Sequence, residues 1–198
     1  MKTDFSGVRI GYVMTGSFCT FGKSFAQAER LRDMGAELIP VMSERAASFS
    51  TRFGTSSENI ARLSEICGRE VIADITAAEP IGPKDMTDIM VVAPCTSNTA
   101  AKLAAGITDS AATMAVKSHL RSGKPVVLAI ASNDSLLASA KNIGELFNRR
   151  NYYFVPMLQD DIEKKPASLV AEFRLLPEAV DAALHGIQLR PIIYHSTP

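Results

Sequence analysis

Short apolar segments alternate with longer amphipathic segments along most of the chain. The apolar segments are rich in β-branched residues and are bounded by Gly, Pro or Ser, a pattern that is typical of buried strands. Pro40 favours an edge position for the strand that contains it, and Pro94 is expected to end the strand before it. The pattern predicts strands over residues 8–14, 37–42, 70–73, 89–93, 126–131 and 152–155, the last of them being the final strand.

Apolar residues with helical spacing lie between these strands. Phe25, Ala28 and Leu31 recur on one face of residues 21–34, and Gly35 stands where that helix is expected to end. Alternating strands and helices predict an α/β fold whose mostly parallel sheet is covered on both faces. The same reasoning predicts further helices over residues 57–67, 98–105, 110–121, 135–149 and 177–185.

The composition is that of one globular domain without a net charge. Hydrophobic residues make up 46% of the 198, and 21 Lys+Arg balance 21 Asp+Glu. Such a chain has no field that would attract nucleic acid or an anionic membrane, and no apolar run is long enough to span a bilayer. We expect residues 1–198 to form a single cytoplasmic domain that self-associates, with a C-terminal tail after about residue 187.

Ligands of open parallel sheets bind beyond the carboxyl ends of the strands, so the loops at those ends hold the candidate site. The first strand is followed by Gly16, Ser17 and Phe18 at the start of a helix, where backbone N–H groups favour a phosphate. An ordinary turn between strand and helix is the alternative. Ser43 follows the second strand and would add a hydroxyl to the same anion, although a role as a helix cap is the simpler interpretation.

Two further loops at this edge are unusually polar. Pro94 is followed by Thr96, Ser97, Asn98 and Thr99, which is more than a helix cap requires. The next strand is followed by Ser132 and Asn133, for which a helix cap is again the alternative. Several polar loops at one edge of the sheet favour a binding site more strongly than any one of them.

The cysteines and histidines give little support to a nucleophile or a metal site. Cys19 and Cys95 flank the candidate loops, but no histidine lies near either in sequence to activate it, and Cys67 has the position of a core residue. His119 is expected to be a surface or C-terminal helix residue. No metal-ligand spacing is present, so we predict no metal and assign no catalytic residue.

The loops together resemble the flavoprotein family that includes homo-oligomeric flavin-containing cysteine decarboxylases. The segment 94–99 is similar to the family's Pro-Ala-Ser-Ala-Asn-Thr motif, with Asn98 and Thr99 in place, and Asn133 stands at the asparagine of its Pro-x-Met-Asn-x-x-Met-Trp motif. That second motif has lost its proline, both methionines and its tryptophan here. The decarboxylases also use a histidine in the first half of the chain, whereas the first histidine here is His119.

The chain is most similar to the branch of this family formed by the B subunits of dipicolinate synthases. The resemblance extends nearly end to end, and the combination of segments is specific where each alone is weak. It is carried by residues 11–20, 51–54, 78–84, 132–134, 154–161, 164–166 and 168–171.

This resemblance implies a flavodoxin-like three-layer α/β/α fold, FMN as the cofactor and a homo-oligomer built from trimers. It implies an oxidoreductase subunit that works with a dehydrogenase-like A subunit in the mother cell of a sporulating bacterium. The product would be dipicolinate, made from a dihydrodipicolinate-type dicarboxylate. The FMN contacts that we predict are Gly16, Ser17, Phe18, Ser43, Pro94, Thr96, Ser97, Asn98, Thr99, Ser132 and Asn133.

Basic side chains are candidates for the carboxylates of such a substrate, because a guanidinium pairs a carboxylate through two hydrogen bonds. Arg52, and with less support Lys165, are the predicted substrate contacts, and a solvated surface charge is the alternative for both. Two other functions stay open for the chain. One is a flavin-dependent decarboxylase of a cysteine conjugate, and the other is a non-catalytic partner that keeps the fold.

Overall fold

A computed structural model describes residues 4–193 of the chain. Within this range the sheet contains seven strands, and the first five of them agree with predicted strands to within a few residues. The strands are β1 (Arg9–Met14), β2 (Glu37–Met42), β3 (Ile89–Cys95), β4 (Val126–Ser132), β5 (Tyr152–Phe154), β6 (Met157–Leu158) and β7 (Leu169–Ala171).

The first five strands are parallel and lie in the order β2-β1-β3-β4-β5. This order is that of the flavodoxin-like folds, so the predicted fold class is confirmed. Pro40 lies in the edge strand β2, as expected of a residue without a backbone N–H. The prediction that 152–155 is the final strand is wrong, because β7 pairs antiparallel with the end of β4 and β6 pairs antiparallel with β7.

Helices cover both faces of the sheet and divide the core into two layers. The helices are α1 (Phe21–Asp33), α2 (Glu44–Ser48), α3 (Ser56–Cys67), α4 (Ile75–Ala78), α5 (Ser97–Ala105), α6 (Ala111–Leu120), α7 (Ala140–Phe147) and α8 (Leu176–Leu184). The buried residues of α1, α3 and α8 pack on one face, and those of α5, α6 and α7 pack on the other. No helix within residues 4–193 is long and apolar enough to cross a membrane.

Two strand predictions need correction. The segment 70–73 forms only a single bridge, between Ile72 and Val41, so it extends the sheet by one residue pair. Pro94 does not end β3, which continues to Cys95 with a shift in register against β4 after Val92. A proline has no N–H for the ladder, and the shift lets the strand continue past it.

The predicted helix 135–149 begins only at Ala140. Local hydrogen bonds hold the preceding residues in turns, because the Asp134 carboxylate accepts from the hydroxyls of Ser132 and Ser139 at 2.5 and 2.9 Å. Short polar side chains of this kind offer the backbone an alternative to the helix. The first residues of the apparent helical pattern therefore belong to the loop after β4.

The C-terminal segment packs on the sheet edge as far as it is described. The side-chain amide of Gln188 donates to the carbonyl of Phe154 at 2.7 Å and accepts from its N–H at 2.8 Å, as a neighbouring strand would. The N–H of Met157 donates to the carbonyl of Ile192 at 2.8 Å. The remainder of the predicted tail, residues 194–198, lies outside the described residues.

The amino ends of the central strands are held by a network of charged groups. The Arg9 guanidinium donates to the Asp88 carboxylate at 2.6 Å, and the Lys124 ammonium contacts Asp88 at 3.4 Å and Asp85 at 2.6 Å. The hydrogen bonds from Arg9 lower the pKa of Asp88 to about 2. The network therefore joins β1, β3 and β4 at the edge opposite the candidate site.

His119 lies beside this network in the last turn of α6, which confirms the predicted C-terminal helix position, but it is buried rather than at the surface. Its Nε2 lies 2.9 Å from the carbonyl of Pro125, which can only accept, so Nε2 carries the proton. Nδ1 then accepts from the Thr87 hydroxyl at 2.8 Å. Burial lowers the pKa of His119 from 6.5 to about 4, and the nearby Lys124 adds a smaller decrease. The hydrogen bond to the Pro125 carbonyl and the charges of Asp88 and Asp85 oppose this shift.

His119 is expected to make folding sensitive to mild acid. The pKa of His119 is lower in the folded than in the unfolded protein, where it is 6.5. Its contribution to the free energy of unfolding is therefore complete above pH 6.5 and is lost as the pH falls towards 4. At pH 5 the loss should be on the order of 2 kcal/mol. Urea unfolding at pH 7 and pH 5 measures it, with His119→Gln as the control that retains a donor and an acceptor but does not titrate. Equal pH dependence in the two proteins would contradict the assignment.

Candidate functional site

A cavity of about 390 Å³ opens at the carboxyl edge of the sheet, between the ends of β1, β2 and β3. Its size is within the range of small-molecule sites. Five of the predicted FMN contacts line it together: Gly16, Ser43, Thr96, Asn98 and Thr99.

Thr15 holds the loops after β1 and β3 together, although sequence reasoning did not assign it to the site. Its hydroxyl donates to the carbonyl of Pro94 at 2.8 Å and accepts from the N–H of Thr96 at 3.0 Å. The N–H of Thr15 also donates to the same Pro94 carbonyl, at 3.2 Å. Thr15 is 1% exposed, so these bonds form away from water and fix the relative position of the two loops.

Ser43 brings the end of β2 to the same cavity. Its N–H donates to the carbonyl of Met14 at 3.0 Å, and its Oγ accepts from the N–H of Ala46 at 3.3 Å, which caps α2. The helix cap that the sequence suggested is therefore present, and it uses only the acceptor capacity of the hydroxyl. The Ser43 proton stays available to a ligand in the cavity.

Thr96 caps α5, which begins at the cavity. Its Oγ1 accepts from the N–H of Thr99 at 3.2 Å and lies 3.1 Å from the Thr99 hydroxyl. Asn98 is exposed, and its side-chain amide makes no hydrogen bond with another described residue. The helix start thus presents hydroxyl, amide and backbone N–H groups to an anion.

The loop after β4 adjoins this helix start. Hydrogen bonds from Ser132 first, and then from Ser139 and Ser97, lower the pKa of Asp134, and burial opposes them. Ser97 therefore joins the loops after β3 and β4 rather than lining the cavity. The Ser132 hydroxyl also donates to the Asp134 carboxylate. Asn133 is exposed and makes no side-chain hydrogen bond within residues 4–193.

Three further predicted contacts lie around the cavity without lining it. Pro94 is buried, and its carbonyl takes part in the bonds to Thr15. The Phe18 ring packs on Phe21 with the ring centroids 5.1 Å apart, which directs much of it to the core. Ser17 is half-buried, and its Oγ lies 3.9 Å from the Cys19 sulfur.

The cavity also has a charged wall that sequence reasoning missed. The residues of this wall lie close in sequence to the motifs described above. Two of them directly follow Ser43, and three lie in the segment 101–110, just after the motif 94–99. Charged residues near a motif are usually solvated, which is why the sequence alone does not select them. The wall is formed by the charged residues Glu44, Arg45, Lys102 and Asp109, together with the neutral Ser110.

The two predicted substrate contacts do not line this cavity. The Arg52 guanidinium lies over the ring of its neighbour Phe53, 4.9 Å from the centroid, in an exposed loop. The Lys165 ammonium pairs with Asp160 at 3.2 Å, and this contact raises the pKa of Lys165. Among the smaller causes of that rise is Cys19, so the 159–168 loop lies near the loop after β1.

The buried Cys95 and the half-buried Cys67 are poor nucleophiles in this environment. Burial raises the pKa of Cys95 to about 12, and burial also raises that of Cys67 to about 12. Within residues 4–193 no three His, Cys, Asp or Glu side chains are grouped closely enough to hold a metal ion. The site therefore offers hydrogen bonds and charge to a ligand, with Cys19 the one exposed thiol among the described residues.

Comparison with known proteins gives the chain a family and close relatives. A family model described as Flavoprotein matches residues 1–176. The dipicolinate synthase B subunit of Bacillus subtilis (strain 168) is 44% identical over 187 residues, which cover 94% of each chain. The crystal structure of the dipicolinate synthase B subunit from Bacillus halodurans C has a TM-score of 0.89 and 40% identity, covering 98% of this chain and 100% of that one.

The fold extends to more distant proteins. The FMN-dependent cysteine decarboxylase SpaF matches with a TM-score of 0.70 at 21% identity, covering 92% of this chain and 98% of its own. At that identity the likeness concerns the fold.

Thr15→Val tests whether the Thr15 hydroxyl holds the site together. Valine keeps the shape but leaves the Thr96 N–H without its acceptor, so the free energy of unfolding should fall by roughly 2 kcal/mol. Urea unfolding measures the change, and Thr15→Ser, which keeps the hydroxyl, should lose less. A valine variant as stable as the wild type would show that these bonds do not matter.

Proposed function

This chain belongs to the Flavoprotein family, and from that premise we propose that it is the flavoprotein subunit of a dipicolinate synthase with FMN as its cofactor. The observation that carries the proposal is the likeness to the dipicolinate synthase B subunit of Bacillus subtilis over 94% of both chains. A likeness of that extent leaves out only a few residues of the chain, so it supports carrying the function across as well as the fold.

The cavity has the chemistry that the phosphate end of FMN requires. Small hydroxyl residues, the start of α5 and a wall that contains Arg45 and Lys102 as well as two carboxylates meet there, and Gly16 leaves room for close approach. A Cβ on Gly16 would reach only the Phe18 ring, at 3.7 Å, so the glycine faces open space beyond that ring. We propose that Gly16, Ser17 and Ser43 bind the phosphate.

The other predicted contacts surround the start of α5. We propose that Thr96, Asn98 and Thr99 bind the ribityl chain, with Asn133 and Phe18 contacting the ring system. Pro94, Ser97 and Ser132 would position those groups. Pro94 and Ser97 bond to the loops after β1 and β4, and Ser132 bonds within its own loop. The Asn98 and Asn133 amides make no side-chain hydrogen bond within residues 4–193 and suit the edge of a flavin.

When bound, FMN would serve as the hydride acceptor, and a dihydropyridine dicarboxylate that loses a hydride and a proton becomes aromatic dipicolinate. The task of this chain is to hold and orient the reactants. We propose that Arg52, and with less support Lys165, bind the substrate carboxylates from exposed loops. The chain would act as a homo-oligomer together with a separate A subunit, in the cytoplasm of the mother cell of a sporulating bacterium.

A reconstituted assay tests the function. The purified chain, the A subunit, FMN and a dihydrodipicolinate-type precursor should produce dipicolinate, and omission of this chain or of FMN should abolish or greatly reduce the rate.

Arg52→Ala should raise the apparent KM for the precursor and leave FMN affinity unchanged.

The assay also separates the alternatives. Dipicolinate formation that needs this chain but no FMN would support a non-catalytic partner. Release of carbon dioxide from a cysteine conjugate, without dipicolinate formation, would support a decarboxylase. Either result would contradict the proposed function.

A further inference from the structure

The charged groups of the cavity wall differ in whether they already have a partner. The Lys102 ammonium pairs with the Asp109 carboxylate at 2.7 Å. The Glu44 carboxylate accepts from the N–H of Ala111 at 2.8 Å, at the start of α6. Arg45 is different, because its guanidinium makes no hydrogen bond or ion pair with any other residue of the described range 4–193.

The backbone places Arg45 at the cavity rather than leaving it on a free loop. It is the second residue of α2, whose first turn is capped by Ser43 and whose next residue, Ala46, is 0% exposed. The carbonyl of Arg45 accepts from the N–H of Phe49 at 3.2 Å. A short helix anchored at both sides of residue 45 thus brings an unpaired cation to the wall of a cavity whose other lining includes neutral hydroxyls and an amide.

We infer that Arg45 provides the positive charge that pairs with the phosphate of the bound flavin, and that it thereby selects FMN over riboflavin. The inference rests on the proposed function and extends it. A phosphate monoester carries a charge of about −1.5 to −2 near neutral pH, and neutral hydroxyl donors bind it without compensating that charge. A guanidinium offers paired N–H donors that match two phosphate oxygens. Arg45 is the cation of the wall whose N–H donors have no partner within residues 4–193.

Lys102 does not fill this role equally well. Its ammonium is already paired with Asp109, so binding the phosphate would mean giving up or sharing that contact. An ammonium is also a point charge without the geometry of the guanidinium fork. The selection between the two flavins therefore depends mainly on Arg45.

The test compares two ligands that differ only in the phosphate. Dissociation constants of FMN and of riboflavin are measured by quenching of flavin fluorescence for the wild type, Arg45→Gln and Arg45→Lys. Arg45→Gln should weaken FMN binding by about tenfold, as expected from loss of a charge-assisted hydrogen bond, and change riboflavin binding by less than about twofold. Arg45→Lys should be intermediate, and added salt should weaken FMN binding more in the wild type than in Arg45→Gln.

Arg121→Gln is the matched control. Arg121 is exposed, lies after α6 near the opposite edge of the sheet, and undergoes the same change of charge. Its substitution should leave both dissociation constants unchanged. Circular dichroism and urea unfolding of each variant establish that it is folded.

Each outcome separates this inference from the proposed function. If the wild type binds FMN but Arg45→Gln weakens both flavins equally, Arg45 has a structural role and the inference is overturned. If Arg45→Gln weakens neither, the side chain is a solvated charge and the inference is again overturned, while the FMN-dependent function stands. A wild type that binds neither flavin would overturn both.

Discussion

The hydroxyl of Thr15 joins the ends of two neighbouring strands, and the arrangement of the candidate site depends on it. It donates to the Pro94 carbonyl and accepts from the Thr96 N–H, so one buried side chain fixes the loops after β1 and β3. The same bond positions Thr96 at the start of α5, where its Oγ1 accepts from the N–H of Thr99 and caps the helix. Ser43 adds the end of β2 through its bond to Met14. Three strand ends thus form one polar surface held by hydrogen bonds.

The opposite edge of the sheet supports this surface without taking part in it. Arg9, Asp88 and Lys124 join the amino ends of β1, β3 and β4, and the neutral ring of His119 joins α6 to the start of β4. Because the strands are parallel, alignment at their amino ends brings their carboxyl ends to one level. Charged groups therefore hold the strands together at the amino edge of the sheet. At the carboxyl edge the Arg45 guanidinium is available to a ligand.

The sequence predicted much of the fold because β-branched segments such as 126–131 leave little choice but a buried strand. It failed where polar side chains act locally: Asp134 draws Ser132 and Ser139 into turns and delays α7. The hairpin of β6 and β7 was missed because strands of two and three residues carry almost no periodicity. At the site, the motifs predict that residues such as Ser43 and Asn98 lie together, and both line the cavity. Arg45 and the role of Thr15 depend on tertiary geometry that spacing does not encode.

The central claim is that the cavity at the carboxyl edge, held by Thr15 and charged by Arg45, is where the flavin phosphate binds. A crystal structure of the protein grown with FMN tests it most directly. The account predicts phosphate density within hydrogen-bonding distance of the Ser43 hydroxyl and the Arg45 guanidinium, with the Thr15 bonds to Pro94 and Thr96 retained. Flavin bound with its phosphate elsewhere, for example in the separate cavity of about 420 Å³ between α1 and the β6–β7 hairpin, would contradict it.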